Sequence, residues 1–164
     1  MKKPVTDSKR SMPNVAEILA PLLARVPPTR QPLLLAVAER MAAERYRGWA
    51  NDPGYALHRA SLLACAAREE EIATRVEALS PDARAVEREI VAQNPDLEEI
   101  NRTVFAGRPI ADQMRIQSAG ERAGAAAWRA FAAAAGLTPA RDAFLACARL
   151  EEESALVLDR ILAV

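Results

Sequence analysis

A chain of 164 residues is the size of one domain, long enough to bury a core without disulfides or structural metal. Its 22 basic and 22 acidic side chains cancel and are interspersed, which argues against a nucleic-acid groove or a basic membrane patch. Two cysteines, an opening without the apolar stretch of a signal peptide, and apolar runs cut short by residues such as Arg129 predict a cytoplasmic chain with no membrane span.

The only lysines, Lys2, Lys3 and Lys9, lie in a polar opening, and residues 1–12 are expected to form a disordered tail ahead of one domain over 13–164. Alanine, leucine, arginine and glutamate dominate, and alternating β-branched runs with hairpin turns are absent, so the fold class is all-α. Asn14 is placed to cap a short amphipathic helix over 14–26, bent at Pro21, with Val15, Ile18, Leu19, Leu22, Leu23 and Val26 on one face. A first long helix spans about Pro32 to Ala50, and the turn Asn51-Asp52-Pro53-Gly54 leads into a second ending near Leu79. Ser80-Pro81-Asp82 forms a cap with proline at the first helical position. Residues 81–108 make a crossover of short helical pieces broken at Asn94-Pro95 and Gly107-Arg108-Pro109. A third long helix from Pro109 to about Ala135 stops at Gly136, and a fourth runs from Thr138-Pro139 to about Leu162. Hairpin one is thus 32–80 and hairpin two 109–162. The crossover is long enough to travel the length of a helix, and the second hairpin is expected to begin in the same sense as the first.

A shift of 82 residues superposes the hairpins without a gap. Glu39-Arg40 falls on Glu121-Arg122, Tyr46 on Trp128, Trp49 on Phe131, Cys65 on Cys147, Glu69-Glu70-Glu71 on Glu151-Glu152-Glu153, and Gly54 on Gly136. An internal duplication is the reading these matches support. A seam drawn at 4-3 spacing takes Leu35, Glu39, Ala42, Tyr46 and Trp49, then His58, Leu62, Cys65, Glu69, Ile72, Val76 and Leu79. The second half supplies Ile110, Met114, Gln117, Glu121, Gly124, Trp128 and Phe131, then Phe144, Cys147, Glu151, Ser154, Leu158 and Ile161. Each apolar stripe is interrupted by one glutamate. Glu39 and Glu69 lie fifteen residues either side of Gly54, and Glu121 and Glu151 fifteen either side of Gly136, which sets all four roughly 22 Å from their turns and in one layer. Such a layer demands divalent cations, buried arginines or shared protons, because each bare carboxylate costs several kcal/mol.

With these residues the chain resembles the ferritin-like superfamily of rubrerythrins, bacterioferritins and related di-metal carboxylate proteins. There one helix of each hairpin gives a Glu and the other a Glu-x-x-His, all projecting inward. Glu39 and Glu121 match the single-Glu positions, and Glu69 and Glu151 match the first residue of the other motif. The resemblance covers about 32–162 and implies a four-helix bundle with Glu39, Glu69, Glu121 and Glu151 as metal ligands for iron or manganese. The histidine positions hold Ile72 and Ser154, which argues against a conventional oxygen-activating centre.

Plainer readings stand beside these. The carboxylates can be the remnant of a site that lost its metal, and Cys65 and Cys147 small apolar fillers. His58 is too far from the layer to join it, Tyr46, Trp49, Trp128 and Phe131 are packing residues, and Glu70-Glu71 and Glu152-Glu153 are solvated faces. Small residues around Gly120 and Gly124 leave room for a ligand pocket or simply let helices approach. The first functional expectation is a homodimeric small-ligand or protein-interaction module with a degenerate metal site. The second is a metal-dependent iron or manganese oxidoreductase with a histidine-free four-glutamate centre. Phosphate-binding loops, nucleophile elbows and zinc-site cysteine spacings are absent.

Overall fold

The computed structural model describes residues 11–136 and 138–164; the expected tail falls outside them except for Ser11 and Met12, which carry no regular structure. Among the described residues there are seven α-helices and no strands: α1 (Val15–Ala24), α2 (Gln31–Ala50), α3 (Arg59–Glu77), α4 (Ala83–Gln93), α5 (Leu97–Phe105), α6 (Ile110–Ala135) and α7 (Thr138–Leu162). Among them, no helix is long and apolar enough to cross a membrane.

Local chemistry explains most boundaries. The Asn14 side chain accepts from the Ala16 amide at 3.1 Å and starts α1. Gly136 ends α6 with φ 63°, a left-handed conformation that favours glycine, and Gly107 turns the chain ahead of α6 with φ 74°. Three boundaries differ from expectation. A 3₁₀ segment, Pro53–His58, delays α3 until Arg59, because Asp52 accepts from the Gly54 amide and holds a tight turn. Pro81 lies in the turn ahead of α4 and not at its first position, and α3 stops at Glu77, leaving Leu79 exposed.

The long helices α2 and α3 pack along their length, as do α6 and α7, and α3 lies against α7. By contrast α2 and α6 touch at few points, and that open seam is covered by α1 and α5. The two hairpins run in opposite senses, which corrects the expectation of a common sense. Arg45 reaches Gln117 and Trp49 reaches Gln113, so numbers rise along α2 as they fall along α6. Likewise Glu69 meets Ser154 while Ile72 meets Cys147. The reason is simple: a crossover that travels the full length delivers α6 to the end where α2 finishes.

The interior is two apolar clusters. One holds Leu34, Leu35, Ile72, Val76, Trp128 and Phe144, and the other Tyr46, Trp49, Leu62, Met114, Leu158 and Ile161. The four seam glutamates lie between them in sequence on every long helix. Each is near the midpoint of its helix, so reversing one hairpin leaves them at a common height.

Candidate carboxylate metal centre

Glu39, Glu69, Glu121 and Glu151 are all buried, at 7%, 0%, 1% and 2% exposure. Glu39, Glu69 and Glu151, from α2, α3 and α7, each offer a carboxylate oxygen, and the three atoms lie within 4.8 Å of one another. Glu121 on α6 adjoins this group, and its carboxylate is engaged elsewhere. Its Oε1 accepts from the Tyr46 hydroxyl at 2.6 Å and from Gln117 Nε2 at 2.7 Å. The periodicity of the seams brings the side chains inward, and the antiparallel hairpins close the ring.

Neutral donors serve two of the other carboxylates. Trp128 Nε1 donates to Glu151 Oε1 at 2.9 Å, and Ser154 Oγ donates to Glu69 Oε1 at 3.1 Å. Ser154 stands where the resembled pattern has a histidine, and here it supports a carboxylate. Ile72, at the other such position, is fully buried in apolar surroundings. Gly124 has a definite role. A Cβ there would fall 2.3 Å from Glu151 Oε1, so only glycine lets that carboxylate lie against α6.

The electrostatics is unfavourable to four free charges. Burial pushes the Glu39 carboxyl up to about 7, with the Glu121 charge adding to it, while carboxyl contacts with Glu69 and Glu151 pull the other way. Glu69 and Glu151 are driven well above the carboxylate range by burial, then by neighbouring carboxylates. Glu69 Oε2 and Glu121 Oε2 are buried with no hydrogen-bond partner. Arg40 and Arg122 turn away, Arg40 to Glu70 and Glu77 and Arg122 to Ser118 and Asp159. Three buried acid oxygens converging on one point, with unpartnered oxygens on Glu69 and the adjoining Glu121, are the donor set that a hard divalent cation takes. The residues therefore fit a metal.

Arg45 is a neighbour of the carboxylate layer that periodicity missed, since it falls one position off the seam. It donates to Gln117 Oε1 at 2.9 Å and to Asn101 Oδ1 at 2.8 Å, and stacks on the Phe105 ring at 3.7 Å. Through Gln117 it is linked to Glu121, and burial lowers it to about 10 against the pull of the nearby glutamates. Tyr46 and Trp128 are core residues, yet each also donates to a carboxylate. The available signal was their polar atom seven residues beyond a seam glutamate, two helical turns along the same face.

The remaining candidates fall where expected or nearly so. Cys65 and Cys147 are free and fully buried, and burial raises the Cys147 thiol to about 12. His58 ends the 3₁₀ segment ahead of α3. Glu70 is not simply solvated, since it is half-buried between Arg40 and Arg47.

A cavity of about 160 Å³ occupies the open α2/α6 seam and is lined by Glu39, Glu121 and Glu151 among mostly apolar side chains. Compared with protein-family models, with curated proteins and with solved structures, the chain finds no match in any of the three.

Proposed function

We propose that this chain is a ferritin-like four-helix bundle, built from a duplicated hairpin, whose interior carboxylates bind divalent metal. Glu39, Glu69 and Glu151 would hold the ion, with Glu121 as the adjoining fourth carboxylate. One observation carries the reading: three buried carboxylates from three helices converge within 4.8 Å, and Arg40 and Arg122, the basic neighbours of Glu39 and Glu121 in sequence, pair with other acids. An all-oxygen donor set suits manganese, and ferrous iron less, because imidazole is missing. When bound, such an ion supplies Lewis acidity and one-electron redox chemistry. The chain's own residues do the rest. Tyr46 and Gln117 hold Glu121, Trp128 and Ser154 orient Glu151 and Glu69, and the apolar clusters keep water from both sides of the layer. A metal-dependent oxidoreductase acting on a small molecule in the adjoining cavity is the activity this supports.

The second reading is a metal-free ligand-binding module with a proton-sharing carboxylate layer, and the cavity itself favours it. Metal loading separates the two. The full chain expressed with manganese and iron should carry near-stoichiometric metal, melt lower after chelation, and lose both properties in Glu69→Ala. Absent metal together with a melting curve indifferent to chelator would remove the metal reading and leave the second.

A further inference from the structure

The cavity between α2 and α6 shows signs of a built site and not a packing fault. A bundle normally closes all of its lateral seams at native density, yet here one seam is held apart while the others pack along their length. The cover is made of a different kind of helix. Among its residues α1 has none that is fully buried, although Ile18, Leu19 and Leu22 face inward and line the void. Its C-terminal end is fastened twice. Gln31 Nε2 donates to the Leu23 and Val26 carbonyls at 3.0 and 3.3 Å, and Arg25 grips both oxygens of Asp96, at the foot of α5, at 2.8 and 2.9 Å. At the other end Val15 rests over Gly120, where even a Cβ would meet only ordinary contact at 3.6 Å.

We propose that this cavity binds one uncharged, apolar small molecule, an aromatic ring or short hydrocarbon of about six to eight heavy atoms, beneath α1 and against the carboxylate layer. The size follows from volume, because an apolar cavity of about 150 Å³ accepts benzene and this one is about 160 Å³. The chemistry follows from the walls. Leu34, Leu35 and Ile116 face Ile18 and Leu22 across the void, so the body of the ligand meets hydrocarbon. Anions gain little, because Arg45, the basic side chain on the lining, is already engaged by Gln117, Asn101 and the Phe105 ring. A metal held by the carboxylates, as read above, leaves the wall no demand for a further cation. The inference deepens the reading above, on which it rests for the neutralised wall, and it names the class of molecule placed beside the carboxylates.

The test uses the full chain, metal-free and metal-loaded, titrated with toluene, benzylamine and glycerol by calorimetry and by chemical-shift changes at α1 and α6. Saturable one-to-one binding of toluene, with glycerol silent, is expected, and weakened at least tenfold by Ala42→Leu, which fills the cavity from α2. Should that variant not fold, Leu19→Trp fills it from the cover, outside the long helices, and must have the same effect. No saturable toluene binding, binding indifferent to the filling substitutions, or tighter binding of benzylamine than of toluene overturns the proposal. Toluene binding by a chain that takes up no metal would leave this site standing and sink the metal centre; metal uptake without toluene binding would do the reverse.

Discussion

Gly124 of α6 and Glu151 of α7 are in such close approach that a single methyl group on the glycine would fall 2.3 Å from a carboxylate oxygen. The side chain of Glu151 is thereby laid across the α6 backbone, where Trp128, one turn further on, donates to the same oxygen. Its counterpart 82 residues earlier is Ala42, beside which no such approach is needed.

Gly124→Ala is therefore expected to separate folding from the site. Helix propensity favours alanine by about 1 kcal/mol, and the displaced atom is the end of a flexible side chain, so thermal stability without metal should change little. The Glu151 carboxylate must move away from Trp128. Metal affinity should fall on the order of tenfold, as for lost orienting contacts around a ligand, with a change in tryptophan fluorescence. Unaltered affinity and fluorescence would show that the approach is unimportant.

The metal-free protein should lose stability as pH rises. Glu39 titrates at about 7 when folded, against the ordinary 4.5. Between those values the folded state holds a proton that the unfolded state has released, so stability falls with rising pH. The loss is absent below about 4.5, complete for this group above about 7, and worth roughly 3 kcal/mol at about 1.4 per pKa unit. Glu69 and Glu151, pushed higher, extend the decline. Chemical denaturation from pH 4.5 to 8 with chelator present should show the slope, and Glu39→Gln should flatten part of it.

Glu69→Gln removes one acid from the layer while keeping its shape and the Ser154 contact. Stability without metal near neutral pH should be unchanged or raised by about 1–3 kcal/mol, because the cost of burying an acid that the unfolded chain ionises disappears. Metal uptake should be abolished in the same protein. A strongly destabilised variant would mean that Glu69 is held by a partner the geometry does not contain.

Tyr46→Phe tests the neutral donors. Glu121 Oε1 keeps Gln117 but loses the phenol, so a carboxylate whose Oε2 already lacks a partner is left with a single donor. Denaturation should become easier by about 1 kcal/mol, the net worth of one hydrogen bond. A smaller loss would assign Tyr46 to packing alone.

The thiols should be inert in the native state. Cys65 and Cys147 are fully buried and burial raises both, so thiolate is scarce and access closed. A disulfide reagent should react only as fast as the chain opens, and at once in denaturant. Rapid native reaction would contradict the burial.

The all-α class, the helix breaks at glycine and proline, and the inward face of each long helix are determined by residue order alone. Periodicity is a local property: a glutamate in an apolar stripe shares the stripe's fate whatever it meets. The seams drawn at 4-3 spacing accordingly find the buried face of every long helix, straying only near helix ends, as at Leu79 and Phe131. Direction is not local. Spacing about Gly54 and Gly136 gives heights within each hairpin and says nothing of how one hairpin faces the other, which the path of α4 and α5 decides. Nor can a one-dimensional pattern tell which donor reaches which acid. Tyr46 and Trp128 occupy matched places, yet Tyr46 serves the opposite hairpin and Trp128 its own. Arg45 and the open α2/α6 seam are likewise products of assembly, because only the packing of four helices with their cover settles where a gap remains and which charge can reach it.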